Sequence, residues 1–349
     1  MRPFTIAEAN LAINLFNIDR LKFIERAPVK HQCSGDYFYG QSDGLELGIQ
    51  AIEGAYGAAL REILSPGYSL SEPHRALLRR FWLFQHLRTE AASRRSVEMA
   101  NATDAVIGDE SNNFRLGIKQ AVQIAMGTFS RHIDAADDLK ICLFRNKTRT
   151  PFVTSDDPAQ LTNRWHLEIK RSTAQSFGLT SAGALLLLPL SPSVLCLGYD
   201  GDVYSIPHDS GWVQIHRDAD VCAFNQHQFL NCRANIFVRD AEDAPLVHRA
   251  FSAVASFRPK ARHKLRYAVV EGREGNFTRF REVDRANLEN HEEALVHSQV
   301  IHARPNAWPR QILFRTKGGA YTDGSAAGYV RRATALKEQH RAFRKEITP

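Results

Sequence analysis

The sequence twice drives an apolar strand to an abrupt polar stop: at Pro151-Phe152-Val153-Thr154-Ser155-Asp156-Asp157-Pro158, and again at Leu185-Leu186-Leu187-Leu188-Pro189-Leu190-Ser191-Pro192. Short apolar runs closed by turn residues read as strands entering a core, and each sets small hydrogen-bonding side chains at the edge of that core. The placement points to a site without naming a reaction.

The periodicity around these blocks sets the fold class. Leu11 to Glu25 alternates apolar and polar positions about Asn17-Ile18-Asp19, which predicts a hairpin. After Asp43, the stripe Leu45, Ile49, Ile52, Tyr56, Leu60, Ile63 has helical spacing and ends at Ser65-Pro66-Gly67. Ser71 reads as an N-cap before Glu72-Pro73, with one helix expected through Leu77, Leu78, Phe81, Phe84, Leu87, Ala91 and Ala92. A third stripe runs Phe114, Ile118, Val122, Met126, Phe129, Ile133, so three helices are expected over roughly residues 43–134.

Strands follow over about 138–238: Leu139 to Phe144, Phe152 to Thr154, Ala184 to Leu190, Ser193 to Leu197, Val203 to Ile206, and Ile236 to Val238. Asp200-Gly201 is read as a two-residue hairpin turn, and a helix is expected from Arg217-Asp218 through Val221, Phe224, Gln228 and Cys232. Past Asp240 come a helix, two or three strands and a basic terminal helix around Tyr329 to Arg344. The expected fold is α+β: a helical N-terminal half packed on a mostly antiparallel sheet in residues 1–240, with residues 241–349 a basic C-terminal α+β extension of the same domain.

Composition bounds the function. With 44% hydrophobic and 24% charged residues over 349, the chain has the make-up of a globular protein and can bury a sizeable core. No run of eighteen apolar residues occurs and Met1-Arg2-Pro3-Phe4-Thr5 lacks a signal core, so a cytoplasmic protein without a membrane partner is expected. Cys33, Cys142, Cys196, Cys222 and Cys232 are odd in number and sit mostly in apolar surroundings, which suits reduced core thiols. The net charge of +7 is uneven: from Phe257 onward about nineteen Lys and Arg face about ten Asp and Glu. The clusters at Arg258 to Lys264 and at Arg331, Arg332, Lys337, Arg341, Arg344, Lys345 suit a solvated basic surface or a nucleic-acid phosphate backbone; no recognised nucleic-acid motif accompanies them.

The second helix carries an anomaly. Phe81, Gln85, Arg88 and Ala92 fall on one stripe, so an amide and a guanidinium lie where apolar residues belong and need partners. Asp156, at a strand end, is the expected partner of Arg88, either as part of a site or as a fixed pair pinning the strand loop to the helices. Asp157-Pro158 reads as a turn. Asp156-Asp157 also invites a divalent metal with help from Asp134, Asp137, Asp138, Glu90 or Asp36, but no diagnostic spacing supports one, and no cofactor is assigned. Ser191 lacks a glycine-flanked elbow and suits turn chemistry, Asn225 offers an oriented amide to the same cavity or satisfies a loop backbone, His31 and His86 are nearer structural than catalytic, and Gly318-Gly319 is no phosphate loop.

Taken in order, Gln32-Cys33, Asp36-Tyr37-Phe38-Tyr39-Gly40, Ile52-Glu53-Gly54, Gln85-His86-Leu87-Arg88-Thr89, Phe152 to Pro158, Pro189-Leu190-Ser191-Pro192 and Phe224-Asn225 resemble the bacterial family called domain of unknown function 4238, over about residues 10–240. The resemblance implies a shared polar constellation of Gln85, Arg88, Asp156, Ser191 and Asn225, and no assigned activity. It also implies an opening His-x-x-Pro segment, of which this chain keeps only the end, as a truncated start or an inactive form would. The position of Asp157 is often Asn in that family, so only Asp156 is carried over.

Two functions are expected from these residues. One is a hydrolase of a phosphate-containing substrate such as nucleic acid, with Arg88 binding the anion, Asp156 as base or metal ligand, Gln85 beside them, and Ser191 and Asn225 holding substrate. The other is a non-enzymatic module that binds nucleic acid or a partner through the basic C-terminal region around a structural polar core.

Overall fold

A computed structural model describes residues 2–6, 11–30, 43–107, 116–168, 176–275, 277–286, 294–324, 328–337 and 343–346. The alternating N-terminal segment forms the expected hairpin, β1 (Ala12–Asn17) with β2 (Lys22–Pro28). The helical layer comprises α1 (Asp43–Ile63), α2 (Glu72–Arg88), α3 (Glu90–Ile107) and α4 (Ile118–Arg131). Ser71 caps α2 as expected, its side chain accepting from the His74 N–H at 3.4 Å.

The helix expected to run unbroken past Ala91 is two helices. Thr89 is extended (φ −69°, ψ 152°) and its hydroxyl accepts the Ala92 N–H at 3.1 Å, so a side chain competing for backbone donors ends α2 and caps α3. Among the described residues four helices therefore occupy the region expected to hold three. Phe114, read as the start of the last, lies outside the described residues; α4 begins at Ile118, where the Gln120 side chain accepts the Gly117 N–H at 3.0 Å.

The central sheet runs β5-β6-β7-β3-β9, built from β3 (Lys140–Asn146), β5 (Gln160–Thr162), β6 (Leu185–Ser191), β7 (Val194–Tyr199) and β9 (Trp212–Ile215). It is antiparallel except between β3 and β9. The four-leucine run is continuous because both faces of its strand are covered. Leu186, Leu188 and Leu190 join Trp82, Phe84 and Val122 under the helices, while Leu185 and Leu187 join Phe144, Phe152 and Phe224 on the far side. That far side is held by α6 (Asp218–Asn231); a short α5 (Arg164–Glu168) follows β5. A second sheet, β2-β1-β10-β4, is antiparallel, with β10 (Asn235–Val238) pairing both β1 and the edge strand β4 (Thr154–Ser155).

Asp200-Gly201 does not join a hairpin. Asp200 accepts the Gly183 N–H (2.8 Å) and the Asp202 N–H (2.9 Å), which turns the chain away, and β8 (Tyr204–Ser205) pairs instead with β14 (Leu313–Phe314). The tight hairpin turn is at Pro192-Ser193, between β6 and β7. Beyond α6 lie α7 (Ala244–Val254) and the antiparallel sheet β12-β11-β13 of β11 (His263–Glu274), β12 (Phe277–Val283) and β13 (Ala294–Val300).

The expected basic terminal helix is only the short α8 (Arg332–Lys337), after which β16 (Phe343–Glu346) pairs β15 (Gly319–Thr322). Arg341 lies outside the described residues. Cys142, Cys196 and Cys232 are buried free thiols, and burial pushes Cys196 and Cys232 up to about 12; Cys33 lies outside the described residues. Among the described residues no helix is long and apolar enough to cross a membrane.

Candidate functional site

Segment 151–160 leaves the edge of the second sheet and is clamped by its neighbours. Asn225 and Gln228 lie three residues apart on α6 and so face the same way. The Asn225 carbonyl oxygen accepts the Val153 N–H at 3.1 Å while its amide donates to Pro151 O at 2.8 Å. Gln228 donates to Pro158 O at 3.0 Å and accepts the Ser155 hydroxyl at 2.7 Å. Ser191 serves the β6–β7 turn by accepting the Ser193 N–H at 3.2 Å, and the adjacent Pro192 O accepts the Phe152 N–H at 2.8 Å.

The two carboxylates divide unexpectedly. Asp156 accepts three backbone N–H groups, from Arg233 (2.8 Å), Ala234 (2.7 Å) and Asn235 (2.9 Å), and so fastens the connection from α6 to β10. Burial raises its pKa against the downward pull of these donors. Asp157, read from sequence as a turn residue, is 2% exposed and forms an ion pair with Arg95 of α3, with the Thr89 hydroxyl 3.5 Å from its other oxygen.

Arg88 does not pair with Asp156. It forms its ion pair with Glu53 of α1 at 2.5 Å, donates from Nε to Gln85 Oε1 at 3.2 Å, and lies 4.9 Å from the Phe84 ring centroid. The polar anomaly on α2 is thus satisfied by the neighbouring helix, in place of the expected strand-end carboxylate. The loop is indeed pinned to the helices by an Arg–Asp pair, but through Arg95 and Asp157. Arg95 escaped the sequence reading because the break at Thr89 resets the helical register, so spacing counted from Phe81 cannot place it. Its only signal was the Arg94-Arg95 doublet, and Arg94 pairs instead with Glu90 at 2.6 Å.

His86 stacks on Trp82 (centroids 4.7 Å, 14°) with Nδ1 2.9 Å from Ala159 O, and burial, then Arg95, lowers its pKa. His31 and Asp36 lie outside the described residues. Gln85 and Arg88 are therefore together at the end of α2, Asp156 lies in the segment that Asn225 holds, and Ser191 precedes the Pro192 that accepts from Phe152. Each has an intramolecular partner. Among the described residues no group of three His, Cys, Asp or Glu side chains is arranged to hold a metal ion.

The C-terminal cations fall into two sets. Arg258 donates to Cys232 O (2.9 Å) and to Phe229 O, and Arg262 to Leu230 O (3.2 Å) and Asn231 O (3.1 Å), so both guanidinium forks close the carbonyl end of α6. Arg331, almost fully buried, binds Leu179 O (3.0 Å), Ala135 O (2.7 Å) and Asp138; Arg315 and Arg344 also bind carbonyls. Of these five, Arg331 is buried, Arg258 and Arg262 are half-buried, and Arg315 and Arg344 stay exposed.

The other set lies on β11. Register places Lys264 opposite Gln299, Arg266 opposite His297, and Ala268 between Leu295 and Glu282, so these share one face, continued by Val270 and Phe280. That face is open: Phe280 is 43% and Leu295 44% exposed, whereas Val269 on the opposite face is fully buried and α3 packs on β11 and β13. Where β11 and β13 approach α5, a cavity of about 260 Å³ is lined by His166, Phe177, Lys264, Arg266, His302 and Arg304, among others.

A family model described as "Protein of unknown function (DUF4238)" matches residues 2–242. No curated protein and no solved structure matches the chain.

Proposed function

Since the chain belongs to the DUF4238 family, whose description names no activity, we propose from its own geometry that it is a non-enzymatic module binding single-stranded nucleic acid on the open face of the β11–β13 sheet. The observation that carries this reading is that face itself. It joins Lys264, Arg266 and His297 to an exposed aromatic ring, Phe280, and the exposed Leu295. Backbone phosphates favour the cations, and a base can stack on the ring without sequence preference.

The hydrolase reading gains less support. Asp156 is bound by three backbone N–H groups and Asp157 by Arg95, so neither carboxylate is turned toward a substrate or metal. The test is fluorescence anisotropy with a labelled single-stranded oligonucleotide. Affinity should fall at least tenfold between 50 and 200 mM salt, on the order expected for a few phosphate contacts. Phe280→Ala should weaken it by about 1–3 kcal/mol, the stacking energy of one base. Binding insensitive to salt and to Phe280→Ala defeats the reading, and magnesium-dependent cleavage lost in a folded Asp156→Asn variant would restore the hydrolase.

A further inference from the structure

The cavity at the His263 end of the β11–β13 sheet differs from the open face in that none of its lining residues is Asp or Glu. Lys264 and Arg266, two apart on β11, point to the same side, and Arg304 joins them from the segment after β13. Arg266 is braced: its Nε donates to Gln299 and its Nη1 meets Glu282 at 2.7 Å, which fixes the direction of the fork. Lys264 and Arg304, both exposed, pair with no carboxylate among the described residues.

The opposite wall includes His302 and Phe177. His302 stacks on Phe177 (centroids 3.5 Å, 11°) with Nε2 2.9 Å from Phe177 O, and burial lowers its pKa to about 4. Attraction inside the cavity therefore comes from Lys264, Arg266 and Arg304, and it favours a compact anion. A volume of about 260 Å³ is below the roughly 300 Å³ at which pockets for drug-sized ligands begin. It has room for a phosphate and the sugar that bears it.

We infer that this cavity takes a terminal phosphomonoester, the phosphorylated end of a strand lying along the adjoining sheet face. The inference rests on the nucleic-acid reading above and adds to it the group that is recognised. A terminal phosphomonoester carries up to two negative charges and three acceptor oxygens, where an internal diester has one charge and two such oxygens, so it gains most from converging cations.

The experiment compares one single-stranded sequence with a 5′-phosphate, with a 3′-phosphate, and with hydroxyls at both ends. One phosphorylated form should bind on the order of tenfold tighter than the hydroxyl form, the effect of a charge-assisted hydrogen bond or two. Millimolar inorganic phosphate should erase that preference by occupying the cavity. Lys264→Ala combined with Arg304→Ala should also erase it, while the hydroxyl form keeps a salt-dependent binding weakened by the loss of Lys264 from the sheet face. Equal affinity for all three oligonucleotides overturns the strand-end inference alone; no binding of any of them overturns the nucleic-acid reading and this inference with it. A preference that survives both inorganic phosphate and the double substitution places the end elsewhere and likewise defeats the cavity.

Discussion

Arg262 immediately precedes β11 and Lys264 is the second residue of that strand, yet their charges have opposite uses. The first, with Arg258, is turned onto the last carbonyls of α6 and acts as part of the fold. The second reaches a cleft without a carboxylate lining, together with Arg266 and Arg304. A basic stretch in a sequence is thus no measure of free charge, because a guanidinium fork satisfies helix-end carbonyls as readily as it does phosphate. The polar band around Asp157 belongs with the first kind and the open sheet with the second, and substitutions should separate the two.

The sharpest break is expected at Asp157. Asp157→Ala leaves the partly exposed Arg95 without its buried partner and should cost about 1.5–3 kcal/mol by urea unfolding, the worth of a hydrogen bond to a charged group. A loss under about 1 kcal/mol would move Asp157 to the functional side of the comparison.

Next in size is acid sensitivity. Burial lowers His227 to about 3 and His302 to about 4, whereas an unfolded histidine takes up its proton near 6.5. The unfolded chain binds more protons in that interval, so these groups contribute stability present above pH 6.5 and lost as the pH falls toward 4 and then 3. His227, whose buried Nε2 has no hydrogen-bond partner among the described residues, lies against Trp308. His227→Phe should flatten the fall in unfolding free energy between pH 7 and 4.5; an unchanged slope would assign the acid loss elsewhere.

A smaller effect is expected at Arg88, whose partner Glu53 is largely open to solvent. Arg88→Ala should cost about 1 kcal/mol and leave oligonucleotide affinity unaltered, so a selective loss of binding would return Arg88 to a site. Smallest of all, Lys264→Ala with Arg304→Ala should change stability by less than about 0.5 kcal/mol, since both side chains are exposed and outside any ion pair among the described residues.

What could be read in advance followed the range of the interaction. The hairpin at β1–β2, the Ser71 cap, the leucine strand and α6 all announce themselves through local spacing and appear where expected. The break at Thr89 turns on one hydroxyl outcompeting a helix bond, and propensity around Leu87 and Ala91 conceals it. At the site, the polar anomaly of Gln85 and Arg88 was visible, but its resolution by Glu53 required knowing that α1 lies alongside α2. Asp156 and Asp157 are adjacent and chemically identical, so only the third dimension could show which faces Arg95 and which faces the backbone of 233–235.

The family match stops at residue 242, whereas the packing continues past it. Val247, Phe251 and Val254 of α7 close over Phe229 and Leu230, and Arg258 and Arg262 seal the helix that carries Asn225 and Gln228. A gene fragment ending at the family boundary is therefore expected to leave Phe229 and Leu230 uncovered and the last carbonyls of α6 without their guanidinium partners.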